Sequence, residues 1–190
     1  MGEAWTAVRL TEARQVAALM GVDVDDRPPA GIAIRDHYDA LRAGNRRSAA
    51  LAYLGHALPR LEAIAWAARI VADNAGDPPP PPRIRHALDV AVRWLEQPGD
   101  AHRRAAGDAA EAISRPVAER LLASAIFYSG GSIAPPAASP VMPPDHVAAR
   151  YVVGAISDAT HRSADPVAAL ETALVLGERI AGRGLAALDR

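Results

Sequence analysis

Apolar residues recur at helical spacing along almost the whole chain, at i, i+3, i+4 and i+7. No convincing run alternates Val, Ile, Thr or aromatic residues with polar ones, as a half-buried strand would. The pattern therefore predicts an all-α fold, a single compact domain of about eight or nine short to medium helices with Pro-rich connections.

Four helices are predicted in the first part of the chain. The first covers residues 4–19, and the second runs over 32–43. We expect Asn45 to cap a third helix, because its side chain can accept a hydrogen bond from an unpaired backbone N–H. Pro59 then begins a fourth helix, which continues to residue 71.

Five consecutive prolines, Pro78 to Pro82, interrupt the helical pattern near the middle of the chain. Proline lacks the N–H that a helix interior needs, so this run favours an extended conformation. It divides the predicted helices into two groups and marks a sub-boundary that could lie within the single domain 1–190. A fifth helix is predicted over 84–95.

Three aspartates precede the later helical stretches and are expected to act as N-caps. Asp100 would cap a sixth helix over 101–114, Asp145 an eighth and Asp165 a ninth. A seventh helix is predicted between Pro116 and Tyr128, where Pro suits the first turn.

Composition narrows the chemistry that the chain can perform. Its 190 residues carry a net charge of -1, all 21 basic residues are Arg, and Cys is absent. Reactions that need a thiolate, a lysine Schiff base or a phosphate-loop lysine are thereby excluded, as are disulfides and Cys-based metal sites. A near-neutral charge balance also argues against nucleic acid as a partner.

The beginning of the chain suggests where the protein works. Met1 to Trp5 contains neither a basic n-region nor an apolar h-region, and no stretch of 18 apolar residues is free of charge. We therefore expect a cytoplasmic protein with no membrane span.

Histidines give no clear metal or catalytic signature. The six residues, at positions 37, 56, 86, 102, 146 and 161, show no paired zinc-helix spacing. We therefore assign no metal site, no cofactor and no catalytic residue. One alternative remains open, a small hydrolase or metal-dependent enzyme that uses His146 or His86 with nearby carboxylates.

One face of the fourth helix carries a polar and aromatic cluster. Glu62, Trp66 and Arg69 share this face, with Arg60 one turn below. They could form the floor of a binding groove, because a carboxylate can orient a guanidinium beside a flat indole. The bland interpretation, which the pattern favours, is a partly buried Glu–Arg pair beside a core Trp that fixes the register of the helix.

The long connection 133–144 contains five prolines and is predicted to be an ordered or semi-rigid loop. Extended proline segments lose little entropy on docking, so this region could bind a partner protein. It could equally be a cover for the core. The candidate binding residues are Tyr128, Ser129, Gly130, Gly131, Ser132, Pro135, Pro136, Met142, Asp145, His146 and Tyr151, among which Tyr128, Met142 and Tyr151 would supply apolar anchors.

Three segments, 58–67, 94–106 and 128–146, together carry a resemblance to known sequences. The most specific part is S-G-G-S-I-A-P-P at 129–136. The chain resembles, over about residues 50–180, a family of small bacterial proteins of unknown function whose genes often lie near type VI secretion clusters. The resemblance implies a secretion-associated accessory role and carries no established activity.

These observations favour a non-enzymatic adaptor or chaperone-like protein that binds another protein through the loop near 128–146. The identity of that protein and the oligomeric state stay open. A structural subunit of a larger assembly is a further alternative, for which a broad exposed apolar patch on one helix face would be the sign.

Overall fold

The computed structural model of the protein describes residues 4–76 and 78–189. Within these ranges the chain forms nine α-helices, two short 3-10 helices and no strand, which confirms the all-α prediction. The expectation about an export signal falls partly on residues 1–3, outside the described ranges. The helices are α1 (Ala13–Leu19), α2 (Ile34–Ala43), α3 (Arg47–Ala57), α4 (Arg60–Asp73), α5 (Pro82–Glu96), α6 (Asp100–Glu111), α7 (Ala118–Phe127), α8 (His146–His161) and α9 (Pro166–Arg183).

The segment before α1 is not helical, so the predicted helix over 4–19 is wrong in its first half. The backbone N–H of Ala7 donates at 3.0 Å to the carbonyl oxygen of Ala181, near the end of α9. Nearer α1, the N–H of Glu12 donates at 2.9 Å to the side-chain oxygen of Gln15. The segment packs its apolar residues on the core without forming a helix, because α9 accepts a backbone hydrogen bond that a helix would otherwise satisfy internally.

Asn45 does not cap α3, contrary to the prediction. It lies at φ 58°, in the left-handed region that Asn tolerates, and the N-cap position belongs to Arg46. Its side-chain oxygen accepts a hydrogen bond from the guanidinium of Arg47. The turn therefore places Asn45 one position too early to reach the free N–H groups of the helix.

The three predicted aspartate caps have different outcomes. Asp165 caps α9 as predicted and accepts a hydrogen bond from the N–H of Ala168 at 3.0 Å. Asp100 is the first residue of α6 and makes no capping bond, so that prediction is wrong. Asp145 occupies the N-cap position of α8, but its carboxylate accepts from Arg60 and caps nothing. At Asp100 and Asp145, arginine side chains bind the carboxylate in place of the backbone N–H groups of the helix.

Central helices α4, α7 and α8 pack against one another and are surrounded by the rest. The indole of Trp66 on α4 is fully buried and donates at 2.9 Å to the carbonyl oxygen of Ala173 on α9. One continuous apolar cluster contains residues from both sides of the proline run, including Val71 and Trp94. In the described part of the chain, no helix is both long and apolar enough to cross a membrane.

Candidate functional site

Residues 129–145, here called the Pro-rich loop, connect α7 to α8 and fold back on themselves. The hydroxyl oxygen of Ser132 accepts from the backbone N–H groups of Ala134 at 3.1 Å and Val141 at 3.0 Å. The N–H of Ile133 donates to the carbonyl oxygen of Val141 at 2.8 Å. These bonds close the base of the loop, because the Ser132 side chain connects the backbone that leaves α7 to the backbone that returns towards α8.

Arg103 anchors the loop from the interior of α6. Its side chain is almost entirely buried, and it donates at 2.7 Å to the carbonyl oxygen of Phe127 and at 2.8 Å to that of Ser132. Asp100 balances the charge by accepting from the same guanidinium at 2.6 Å. Gly131, at φ 67°, lies so close that an added Cβ would be 3.3 Å from the guanidinium, which favours glycine there.

Two further arginines hold the loop on either side. Arg104 donates to the carbonyl oxygens of Ala134 at 3.0 Å and Ser132 at 3.1 Å. Arg60, at the start of α4, donates to the carbonyl oxygen of Ser129 at 2.9 Å and to the carboxylate of Asp145. The loop is therefore fixed through its backbone, because three guanidinium groups occupy its carbonyl oxygens.

The predicted apolar anchors of the loop do not all face solvent. Tyr128 and Tyr151 are half-buried and stack on each other, with ring centroids 5.4 Å apart and ring planes 9° apart. Met142 is 64% exposed and its neighbour Val141 is 51% exposed. The large exposed apolar side chains of the loop are therefore Val141 and Met142, and the exposed prolines Pro140 and Pro144 lie close to them in the chain.

The predicted groove on α4 is not formed as such. Trp66 is fully buried in the core, so it offers no surface to a ligand. Arg69 pairs with Asp73 at 2.8 Å, one turn further along α4. The Glu–Arg pair that was the alternative interpretation is not formed either, because Glu62 has no hydrogen-bond or ion-pair partner among the described side chains.

Arg60 and Glu62 instead line a cavity of about 670 Å³, together with Asp145 and His146. The cavity lies between the end of α3, the starts of α4 and α8, and the segment before α1. Arg60 therefore joins the cavity to the Pro-rich loop, since its guanidinium contacts the loop backbone. The candidate groove residues on α4 and the candidate binding residues of the loop were predicted separately, and Arg60 connects them. The apolar walls include Leu10, Leu58, Leu61, Ile64 and Val152.

His56 is a further residue of the cavity wall, and it is only 8% exposed. Its Nδ1 lies 2.8 Å from the carbonyl oxygen of Ala52, which can only accept. The ring proton is therefore on Nδ1, and Nε2 is a bare acceptor. This Nε2 is buried and has no partner among the described residues. Burial lowers the pKa of His56, which favours the neutral ring.

Some residues of the alternative prediction, an enzyme that uses His146 or His86 with nearby carboxylates, line this cavity. His146 lines it beside Glu62 and Asp145, whereas His86 is exposed on α5, which contributes nothing to the wall. The Nδ1 of His56 is oriented by a backbone carbonyl and not by a carboxylate. Across residues 4–76 and 78–189, no group of three or more His, Asp or Glu side chains is placed to hold a metal ion.

Sequence reasoning did not single out His56 or assign a role to Arg103 and Arg104. Nothing in the local sequence distinguishes His56 from the other histidines, because its environment is made by α4 and α8. The two arginines did belong to the segment 94–106 that carries the family resemblance. Their role depends on a loop about thirty residues further along the chain, a separation at which spacing predicts no contact.

Fold and site together define an all-α protein with an arginine-anchored surface loop beside an apolar cavity. The chain belongs to the Family of unknown function (DUF6931), whose model matches residues 37–181. The match includes α3 to α8 and the whole Pro-rich loop. Comparisons with curated proteins and with solved structures found no match.

Proposed function

We propose that this protein is a non-enzymatic accessory protein, an adaptor or chaperone-like factor, which binds another protein through the Pro-rich loop. The observation that carries the proposal is the pair of exposed apolar side chains, Val141 and Met142, on a backbone fixed by arginines. A loop that is already ordered loses little conformational entropy on binding, so its apolar contacts contribute more fully to affinity.

The chemistry of the loop indicates what the partner offers. Val141 and Met142 are adjacent, and Met adapts its shape to irregular apolar surfaces. The arginines that anchor the loop are engaged with its carbonyl oxygens and with Asp100 and Asp145. We therefore expect the partner to present an apolar patch, with few charged groups at its centre.

The other exposed large apolar side chains support the loop as the interface. Within the described residues they sit on several different elements, and only Val141 and Met142 are neighbours in the chain. A structural subunit is less well supported, because its expected sign is one broad patch on a single helix face. Outside the loop, the exposed large apolar side chains among the described residues are Val24, Val92, Val167, Val175 and Leu185.

A secretion-associated role is part of the same proposal and is supported by the family resemblance alone. It is tested by measuring binding between this protein and the purified products of the genes beside its own. Val141→Asp and Met142→Asp should each weaken the interaction roughly tenfold or more, since each places a charge at the centre of an apolar contact.

Val24→Asp and Val167→Asp are the matched controls, because both side chains are at least as exposed as Val141 but lie far from it in the chain. They should leave the affinity unchanged. Binding that is insensitive to both loop substitutions, or weakened equally by the controls, contradicts the proposed interface. Finding no binder among these gene products contradicts the secretion-associated role.

A further inference from the structure

A second cavity lies between the start of α3, the end of α8 and the start of α9. Its volume of about 590 Å³ falls in the range of pockets that hold small organic ligands. The lining includes Arg46, Ser48 and His161, all of which are exposed. A ligand that enters the cavity can therefore reach polar side chains.

The charged lining of this cavity is basic. Arg46, Arg47 and His161 line it, and no Asp or Glu among the described residues does so. Asp165 precedes the lining residue Pro166 in the chain, but its carboxylate caps α9. A cavity lined by one sign of charge attracts ligands of the opposite sign, so the lining favours an anion.

The other ion pairs near the cavity leave one arginine available. Arg47 donates to Glu171 at 3.1 Å, and Glu171 also accepts from Arg42 at 3.0 Å. Arg42 in turn pairs with Glu178, so two arginines and two glutamates offset one another. The exposed guanidinium of Arg46 has no hydrogen-bond or ion-pair partner in the described part of the chain.

This count of charges distinguishes between classes of anion. A guanidinium carries one permanent positive charge and two parallel N–H groups that fit a carboxylate. A phosphate monoester carries more than one negative charge at neutral pH, which the guanidinium of Arg46 alone would not offset. The cavity therefore favours a carboxylate.

Apolar side chains on the first turns of α9 complete the lining. Val167 is 60% exposed and Leu170 is half-buried, and both line the cavity. Because they are three residues apart in one helix, they lie on the same face. A ligand with an apolar body would remove this accessible apolar surface from water.

We propose that this cavity binds a small organic acid, whose carboxylate accepts from the guanidinium of Arg46 and whose apolar body covers Val167 and Leu170. Ser48 and His161 can donate further hydrogen bonds to the same carboxylate. The cavity shares no residue with the Pro-rich loop. Loss of partner binding in the loop variants would leave this site intact, and failure of this site would leave the loop proposal intact.

Three probes with the same apolar body test the proposal. They are 2-naphthoate, the uncharged 2-naphthamide and 2-naphthyl phosphate. NMR titration of the protein should show 2-naphthoate binding at least about fivefold more tightly than 2-naphthamide, because only the acid makes a charge-assisted hydrogen bond. The amides of Ser48 and Val167 should shift, and 2-naphthyl phosphate should bind no more tightly than 2-naphthoate.

Two variants locate the site. In Arg46→Gln the preference for 2-naphthoate over 2-naphthamide should fall below about twofold, whereas Arg83→Gln, at an exposed position outside the cavity, should retain it. Val167→Asp should weaken 2-naphthoate binding at least about fivefold, because it places a like charge in the cavity. Val175→Asp, exposed on the same helix but outside the cavity, should leave the affinity unchanged.

Several results would overturn the proposal. Equal affinity for 2-naphthoate and 2-naphthamide, or no binding of 2-naphthoate up to its solubility, would exclude the site. Tighter binding of 2-naphthyl phosphate would contradict the assignment to carboxylates. A preference that survives Arg46→Gln, or amide shifts confined to another part of the protein, would contradict the location. If Arg46→Gln does not fold, Val167→Asp and the amide shifts decide.

Discussion

The guanidinium of Arg103 donates at 2.8 Å to the carbonyl oxygen of Ser132, which connects the interior of α6 to the Pro-rich loop. The same side chain also satisfies the carbonyl oxygen of Phe127 at the end of α7. A single buried cation therefore holds two helices and a loop in one arrangement. Its carboxylate partner, Asp100, reaches the surface and keeps contact with water.

Arg103→Met should destabilise the protein by about 2–4 kcal/mol. The substitution keeps an apolar stem in place but leaves the carbonyl oxygen of Phe127 without its charged donor, and it leaves Arg104 as the charged donor to the carbonyl oxygen of Ser132. Urea unfolding followed by circular dichroism measures the change. Arg83→Met is the control, because Arg83 is exposed, and it should change stability by less than about 0.5 kcal/mol. Equal effects of the two substitutions would show that Arg103 does not anchor the structure.

Two glycines in neighbouring helices should respond oppositely to alanine. An added Cβ at Gly177 would lie 2.7 Å from atoms of both Leu54 and Trp66, so Gly177→Ala should destabilise by about 1–3 kcal/mol through overpacking. At Gly154 the nearest atom, on Leu121, is 3.5 Å away. There the substitution should stabilise α8 by about 0.5–1 kcal/mol, because alanine loses less backbone entropy than glycine. Thermal unfolding of both variants distinguishes these signs.

Acid should remove the contribution of one ion-pair cluster. Hydrogen bonds from Arg42, and then from Arg47, lower the pKa of Glu171 to about 2 from 4.5. Because the folded pKa lies below the unfolded value, the stabilisation is present in full above about pH 5 and is lost as pH falls towards 2. Glu171→Gln should therefore lower the unfolding midpoint in urea at pH 7 and have little effect near pH 2.

A matched control for this pH dependence is Glu96→Gln, because Glu96 is exposed at the end of α5. Its unfolding midpoint should follow that of the unmodified protein at every pH. If Glu171→Gln differs from the unmodified protein by the same amount at pH 7 and pH 2, the pairing with Arg42 and Arg47 does not set the pKa of Glu171.

Most of the fold prediction rested on helical periodicity. The spacing of apolar residues shows which side of a helix is buried, but it does not show which other helices cover that side. It failed before α1, where the apolar residues pack on the core but α9 provides the backbone partner of Ala7. Capping rules succeeded at Asp165 and failed at Asp100, where Arg103 and Arg104 lie within one turn and take the carboxylate. Local rules cannot anticipate which of two local partners prevails.

The candidate site was predictable to a smaller extent. The Pro-rich loop followed from composition, because proline and small residues do not continue a helix. The burial of Trp66 agrees with one of the two interpretations of the α4 cluster, in which it is a core residue. The cavity wall at His56 could not be predicted, because it depends on helices distant in sequence. The site is formed by tertiary packing, and only its surface loop could be recognised in the sequence.

Amide hydrogen exchange across the Pro-rich loop tests the central claim that this surface is ordered before a partner binds. In the free protein, the amides of Ile133, Ala134 and Val141 should exchange slowly, because each donates within the loop. The amides of Ser139 and Met142 donate to no group of the described residues and should exchange quickly. If all five amides exchange at the rate of an unfolded chain, the loop is not preorganised and the proposed docking surface is wrong.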